Sequence, residues 1–232
     1  MLVGVVAILV AVVALGAGTS RPAPADPSLP AQEQDAPTAE ADATSPSSGG
    51  YWDAVTRYAP TNFHYDTLDA IVADSHLIVR GRLVGISEGK IKPFDQSLDD
   101  LPVVFAVVQV DEVLKGTPES EQTGVILVAR LARADDSETD LPKDEVVLFL
   151  KNYAQMRVDL GAAPANEDDR YYYVRPNGYQ AVLVNRDGDL FVPLPPADWG
   201  DSFGTFPSDL NGTSFADVTD QIKSSVLKLS QE

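Results

Sequence analysis

The chain contains no cysteine, and that absence excludes thiol catalysis, thiolate metal centres and disulfide staples together. It does not fix the redox compartment, because a chain of 232 residues can bury a sufficient core without covalent cross-links. Histidine is nearly absent as well. Only His64 and His76 occur, on either side of one short amphipathic segment and with no triad pattern beside them. Zinc sites take three or four ligands, so both are expected to be helix-flanking residues rather than a metal pair. Basic residues are scarce: 17 Lys and Arg stand against 35 Asp and Glu, a net charge of −18. Such a surface repels phosphate backbones and anionic headgroups, which argues against a nucleic-acid partner. Phosphate-cradling glycine loops are missing, and among the many serines neither a Gly-x-Ser-x-Gly elbow nor a Ser-x-x-Lys pair is expected. Paired carboxylates for glycoside hydrolysis cannot be picked from so many acids without geometry. The sequence therefore assigns no catalytic, cofactor-binding or metal-ligating residue, and no cofactor is expected.

What the chain does have begins at its start. Residues 1–18 form an uncharged run of Leu, Val, Ile, Ala and Gly. As a helix this run measures ~27 Å, close to the hydrocarbon thickness of a bilayer. No Lys or Arg precedes it, unlike a secretory signal, and Arg21 lies on its far side. Gly16-Ala17-Gly18 offers small residues for a signal peptidase. The expectation is export, with an uncleaved anchor ahead of a cleaved signal, and a buried core helix as the structural alternative. Residues 19–50 carry six prolines, many Ala, Ser and Thr, and almost no large apolar side chain, the composition of a disordered, semi-extended linker. Five acids against Arg21 give residues 1–50 a net charge of −4, leaving −14 for residues 51–232, the expected folded domain.

That domain is organised around residues 76–87, HLIVRGRLVGIS. Val79 and Leu83 fall on one side of an extended chain, with Ile78, Arg80, Arg82, Val84 and Ile86 on the other. Gly81 and Gly85 inside a β-branched run mark bulges or bends of the kind that turn a barrel corner. A short helix precedes this strand over residues 65–75, where Asp66 or Thr67 can cap and Leu68, Ile71 and Val72 share a face. Residues 101–115, 125–131 and 145–151 read as three further strands, the first apolar on both sides at its centre. The intervening residues 132–144 are an acidic loop, and 154–169 a polar one. Residues 171–175 and 179–184 flank Pro176-Asn177-Gly178, the pattern of a tight hairpin, and Asp187-Gly188 turns the chain again into residues 190–192. A final helix is expected from a Ser214 cap, with Phe215, Val218, Ile222, Val226 and Leu229 at helical spacing. The sum is a mainly β domain: an antiparallel barrel of six or seven strands with a short amino-terminal and a longer carboxy-terminal helix. A two-sheet sandwich is the alternative.

The order of these pieces resembles the oligonucleotide/oligosaccharide-binding (OB) barrel of netrin-like and tissue-metalloproteinase-inhibitor-like domains, in their bacterial exported forms. Four stretches between about Asp66 and Val192 carry the resemblance. They are residues 74–83 with the helix before them, Val113-Leu114-Lys115-Gly116, the strand from Leu141-Pro142 to Leu150, and the Gly178 hairpin. Animal members are cross-linked by disulfides, and their inhibitors chelate a protease metal through an amino-terminal cysteine. This chain has neither, so the resemblance implies fold and export, and transfers no functional residue.

Several constellations have a functional reading and a plainer one. Asp135, Asp136, Glu138 and Asp140 gather oxygens but lack the spacing and glycine of a calcium loop. Asn185-Arg186-Asp187-Gly188-Asp189 looks like such a loop, yet its flanking strands make it a turn. Tyr171, Tyr173 and Tyr179 with Trp199, Phe203 and Phe206 offer an aromatic platform for sugar or peptide, or else Tyr171 and Tyr173 face the core and the others seal a barrel end. Arg80, Arg82 and Arg130 offer an anion site, or else pair with facing acids such as Asp111. Asn211-Gly212-Thr213 matches a glycosylation acceptor. The resulting expectation is a non-catalytic extracytoplasmic binding or interaction domain, tethered to or secreted across a bacterial membrane, with an unknown envelope protein or polysaccharide as partner. A carboxylate-dependent hydrolase of envelope polymers is the alternative, and a structural accessory subunit a third. Limited proteolysis of the full chain is expected to cut first within residues 19–50 and leave residues 51–232 as the resistant fragment; protection of 19–50 contradicts the linker.

Overall fold

The computed structural model describes residues 51–52, 64–94, 98–120, 122–129, 131, 141–162, 167–176, 180–193 and 206–231. The apolar run 1–18, the spacer 19–50, Arg130, Asp135, Asp136, Glu138, Asp140, Asn177, Gly178, Tyr179, Trp199 and Phe203 lie outside them. No helix among the described residues is long and apolar enough to cross a membrane.

The first helix, α1 (Leu68–Asp74), starts where Thr67 Oγ1 accepts the amide of Ala70 at 3.2 Å, and it buries Ile71 and Val72. The chain then runs into β1 (Leu77–Ile91), which pairs antiparallel with β2 (Leu101–Lys115) along its whole length. Two of the three register shifts fall at the expected glycines, between Arg80 and Gly81 and between Leu83 and Gly85, and the third lies between Ile78 and Val79. A Cβ on Gly81 would lie 2.1 Å from the carbonyl oxygen of Gln109, so only glycine allows β2 to approach there. The shift between Leu83 and Gly85 leaves Val84 opposite no residue of β2.

The sheet then closes. β2 pairs with β3 (Val125–Ala129), β3 pairs in parallel with β5 (Tyr172–Val174), β5 pairs with β4 (Glu145–Asn152), and β4 returns to β1 through Leu77 to Gly81. Five strands thus form a ring, with one parallel contact among antiparallel ones. Two more, β6 (Val182–Arg186) and β7 (Asp189–Phe191), extend the same sheet from β4. All seven belong to one sheet, so the barrel-like reading holds and the sandwich does not.

Two local expectations are corrected. Residues 171–175 and 179–184 do not form a hairpin. β5 and β6 instead follow one another along the same edge of β4, at Lys151–Asn152 and at Glu145–Leu148 respectively. The amide of Phe149 bonds to Ala181 O at 3.0 Å, continuing the ladder between them. Pro176 has no amide to donate and fits where the chain leaves that edge. The polar stretch 154–169 is not loop throughout: it holds most of α2 (Tyr153–Asp159) and of a 3-10 turn (Glu167–Tyr171). The turn at Asp187-Gly188 is as expected, both residues having positive φ (54° and 98°) between paired strands. So is α3 (Phe215–Leu229), whose Ser214 Oγ accepts the amide of Asp217 at 3.4 Å.

Side chains divide mainly between two apolar cores, with a smaller third cluster of Ile91, Phe105, Ala129 and Tyr153. Val79, Leu83, Ala106, Val108, Ile126, Val128, Val146, Leu148, Leu150, Tyr173, Val182 and Val184 fill the ring. Ile78, Val147, Phe149 and Leu183 point outward and pack beneath Ile71 and Val72 of α1 and Phe215, Val218 and Ile222 of α3. β4 serves both cores, which is why its sequence is apolar on both sides. Trp52 is fully buried within the ring core, its Nε1 donating to Asp144 Oδ2 at 3.0 Å, while Tyr51 OH donates to Leu131 O at 3.0 Å. Trp52→Ala is expected to cost about 3–5 kcal/mol in denaturant unfolding of the full chain; a loss below about 1 kcal/mol would show that this indole does not support the core.

Candidate functional site

A cleft of about 450 Å³ opens beside the end of β4. Asn152, the last residue of that strand, organises it. Its Oδ1 accepts the amide of Gln155 at 3.0 Å, capping α2, and its Nδ2 donates to Arg170 O in the 3-10 turn at 2.6 Å. Tyr173, from β5, holds the remaining wall. Its ring lies in the barrel core, and its hydroxyl accepts the amide of Glu119 from the β2–β3 connection at 2.7 Å. Burial raises this phenol's pKa, so it stays neutral. Three separate chain segments are thereby tied to two side chains.

His76 forms the floor beside Leu77. Its amide donates to Leu150 O at 2.9 Å, and its Nε2 lies 3.2 Å from Asp159 Oδ2 of α2. Asp159 also accepts Gln155 Nε2 at 2.8 Å. The imidazole Nδ1 is buried and has no hydrogen-bond partner. Burial pulls the His76 pKa below its ordinary value, against the pull of Asp159 and with a further push from Lys151. The neutral tautomer carrying hydrogen on Nε2 satisfies this geometry. At the rim, Arg170 lies 3.6 Å from Glu167, donates to Tyr171 OH at 2.6 Å and stacks on that ring at 4.7 Å. The Tyr171 contact is the main cause of its raised pKa. Glu119 and Glu167 are exposed.

Behind the cleft lies a polar seam. Asp74 accepts from Lys151 Nζ at 2.8 Å and from the hydroxyl of Tyr65, whose pKa is driven up by burial and by that carboxylate. Lys115 Nζ donates to Val72 O at 2.7 Å and Ala73 O at 2.9 Å, closing the carbonyl end of α1.

The other candidates resolve mainly to their plainer readings. Arg82 Nη1 sits 2.9 Å from Asp111, and Arg80 lies 3.3 Å from both Glu112 and Glu145, so these arginines are neutralised rather than poised for an anion. Tyr171 and Tyr173 do not share a platform, since Tyr173 is buried and Tyr171 lies in the 3-10 turn. Phe206 is buried against the outer core. Asn211 Oδ1 accepts the amide of Val192 at 2.8 Å, committing that side chain to a turn. Asn185 and Arg186 end β6, Asp189 opens β7, and Asp187-Gly188 make the turn between them. His64 lies 3.4 Å from Asp66, and among the described residues no three His, Asp or Glu side chains gather as a metal set.

The expected absence of serine motifs is corrected as to spacing, though not as to chemistry. Gly85-Ile86-Ser87-Glu88-Gly89 has the Gly-x-Ser-x-Gly spacing, and Ser87 with Lys90 and Ser225 with Lys228 have Ser-x-x-Lys spacing. Ser87 lies within β1 opposite Phe105, where no strand-to-helix elbow exists, and Lys90 points to the other face. Ser225 donates its hydroxyl to Asp69 rather than to an amine, towards the negative end of α3. None is an activated nucleophile.

No family model, curated protein or solved structure matches the chain. The cleft thus rests on its own chemistry: oriented donors and acceptors, with no paired nucleophile and base among its described residues. One titration follows. Because His76 has its folded pKa depressed below an unfolded value of about 6.5, the unfolded chain takes up the proton first. Stability is therefore expected to fall as pH drops from about 7 to about 5, and His76→Gln to make that fall shallower in denaturant titrations. An unchanged slope would refute the depressed value.

Proposed function

We propose that the chain is a non-catalytic binding domain working outside the cytoplasm of a bacterium, held at the membrane by residues 1–18 or released after their removal. It recognises an envelope protein or polysaccharide through the cleft beside β4. The observation that carries this reading is the polar lining drawn from separate elements, Gln155, Arg170, Glu119 and His76, beside the apolar side chains of Leu77 and Val158. Such a mixture orients a polar ligand by hydrogen bonds while burying part of it. The resemblance to exported OB barrels agrees with a closed five-stranded ring, and the apolar start followed by a proline-rich spacer agrees with export.

The hydrolase reading has one observation in its favour, that Glu119 and Glu167 line the same cleft. A general acid works in a setting that excludes water, whereas both of these side chains are exposed. Full-length tagged chain expressed in a bacterial host is expected in the membrane or extracytoplasmic fraction and to be retained by immobilised envelope material. Arg170→Ala with Gln155→Ala is expected to weaken retention about tenfold, the loss of one or two hydrogen bonds. A cytosolic, unretained chain overturns the proposal, and soluble fragments released from the polymer in a Glu119-dependent manner replace it with the hydrolase.

A further inference from the structure

Among the described residues, the long hairpin of β1 and β2 leaves one sheet edge unpaired. β4 covers the outer edge of β1 only from Leu77 to Gly81. From Arg82 to Ile91, among the described residues, the backbone of β1 bonds to β2 alone. Open edges are normally blunted by charged side chains, by proline, or by bulges. The Val84 bulge interrupts the first part of this edge, but residues 86–91 pair with β2 in unbroken register. The charges along that stretch have opposite signs. Glu88 and Lys90 flank Gly89, share one face of the strand, are both exposed, and make no ion pair among the described residues.

That pattern is self-complementary. We propose that a second copy of this chain adds to the sheet at this edge, antiparallel, about a two-fold axis through Gly89. In that register Glu88 of each copy stands opposite Lys90 of the other, and Ser87 stands opposite Ile91. Every contact is repeated by the symmetry, as an isologous interface demands. Gly89 suits the axis because it has no side chain to meet its own copy. Its inward space is already filled by Phe105, whose ring would lie 2.7 Å from any added Cβ. The interface takes its energy from main-chain bonds and its register from the charge pair. A long edge is otherwise an aggregation template. A closed two-fold pairing satisfies both edges and stops there.

The absence of native cysteine makes a clean test possible on the full chain in its own membranes or medium. Opposed residues on antiparallel strands have Cβ atoms about 4.5–5.5 Å apart, within reach of a disulfide after small adjustment. Glu88→Cys and Lys90→Cys chains co-expressed with distinguishable tags are expected to give an oxidised band at twice the chain mass containing both tags. Either variant alone is expected to give less than a tenth of that yield. No mixed band, or equal yields from the single variants, overturns the proposal. Both positions are exposed, so folding is preserved in each. A second measurement uses charge. Glu88→Lys and Lys90→Glu are each expected to weaken self-association about tenfold in sedimentation of the detergent-solubilised chain, and mixing the two is expected to restore it, because each then opposes its complement. Self-association unaffected by either reversal places the contact elsewhere and refutes the register.

Discussion

A strand in the interior of a sheet must satisfy hydrogen-bonding groups on two edges and bury side chains on two faces, and β4 is where this chain meets all four demands. One edge of Glu145–Asn152 binds β1, and the other is shared end to end by β6 and β5. Val146, Leu148 and Leu150 fill the ring, while Val147 and Phe149 anchor the helices outside it. Leaving any of these backbone groups unpaired in such a setting would cost on the order of a hydrogen bond each. The ring therefore closes through β4, and the cleft lies where β4 stops. Asn152 ends the strand and caps α2 with the same side chain.

Several polar groups buried around that junction are satisfied by protein partners, although His76 Nδ1 is not. Gln180 is fully buried, and its amide bonds to both backbone groups of Tyr65 and to Phe206 O, at 2.8–3.0 Å. The Asp74, Lys151 and Tyr65 contacts join α1 to β4, and Lys115 joins α1 to β2. His76 borders this seam on one side and the cleft on the other, so its charge state couples fold and site. On the outer surface, arginines of β1 are held by acids of β2 and β4. Within an acidic protein, such pairing consumes the cations that an anion site would need.

Much of the framework was legible because it is written in periodicities. β1, β2 and β4 announce themselves by apolar alternation and runs, and Thr67 and Ser214 by capping ahead of helical spacing. Arg82 beside Asp111 was legible as an alternative, since charges on adjacent strands usually pair. The cleft was not. Its residues come from six segments between His76 and Tyr173, each polar and locally ordinary, and nothing local joins Asn152 to Arg170 or Tyr173 to Glu119. α2 was missed because Asn152 reads as the end of a strand, although Asn152 followed by Tyr153, Met156 and Arg157 is a usable helix signal. Trp52 gave no periodic signal at all, being a lone aromatic pair beside a spacer.

What the amino-acid order determined alone is therefore local: which stretches are extended or helical, and where glycine must permit a bend. These follow from side-chain period, caps and turn residues, which act within a few positions. Tertiary structure decided the pairings. Asn177-Gly178 is a strong local hairpin signal, yet β5 and β6 gain more by sharing an edge of β4 than by pairing with each other, since that edge offers a continuous ladder and a place in both cores. Competition between distant partners for the same hydrogen bonds is settled only when all the strands are present.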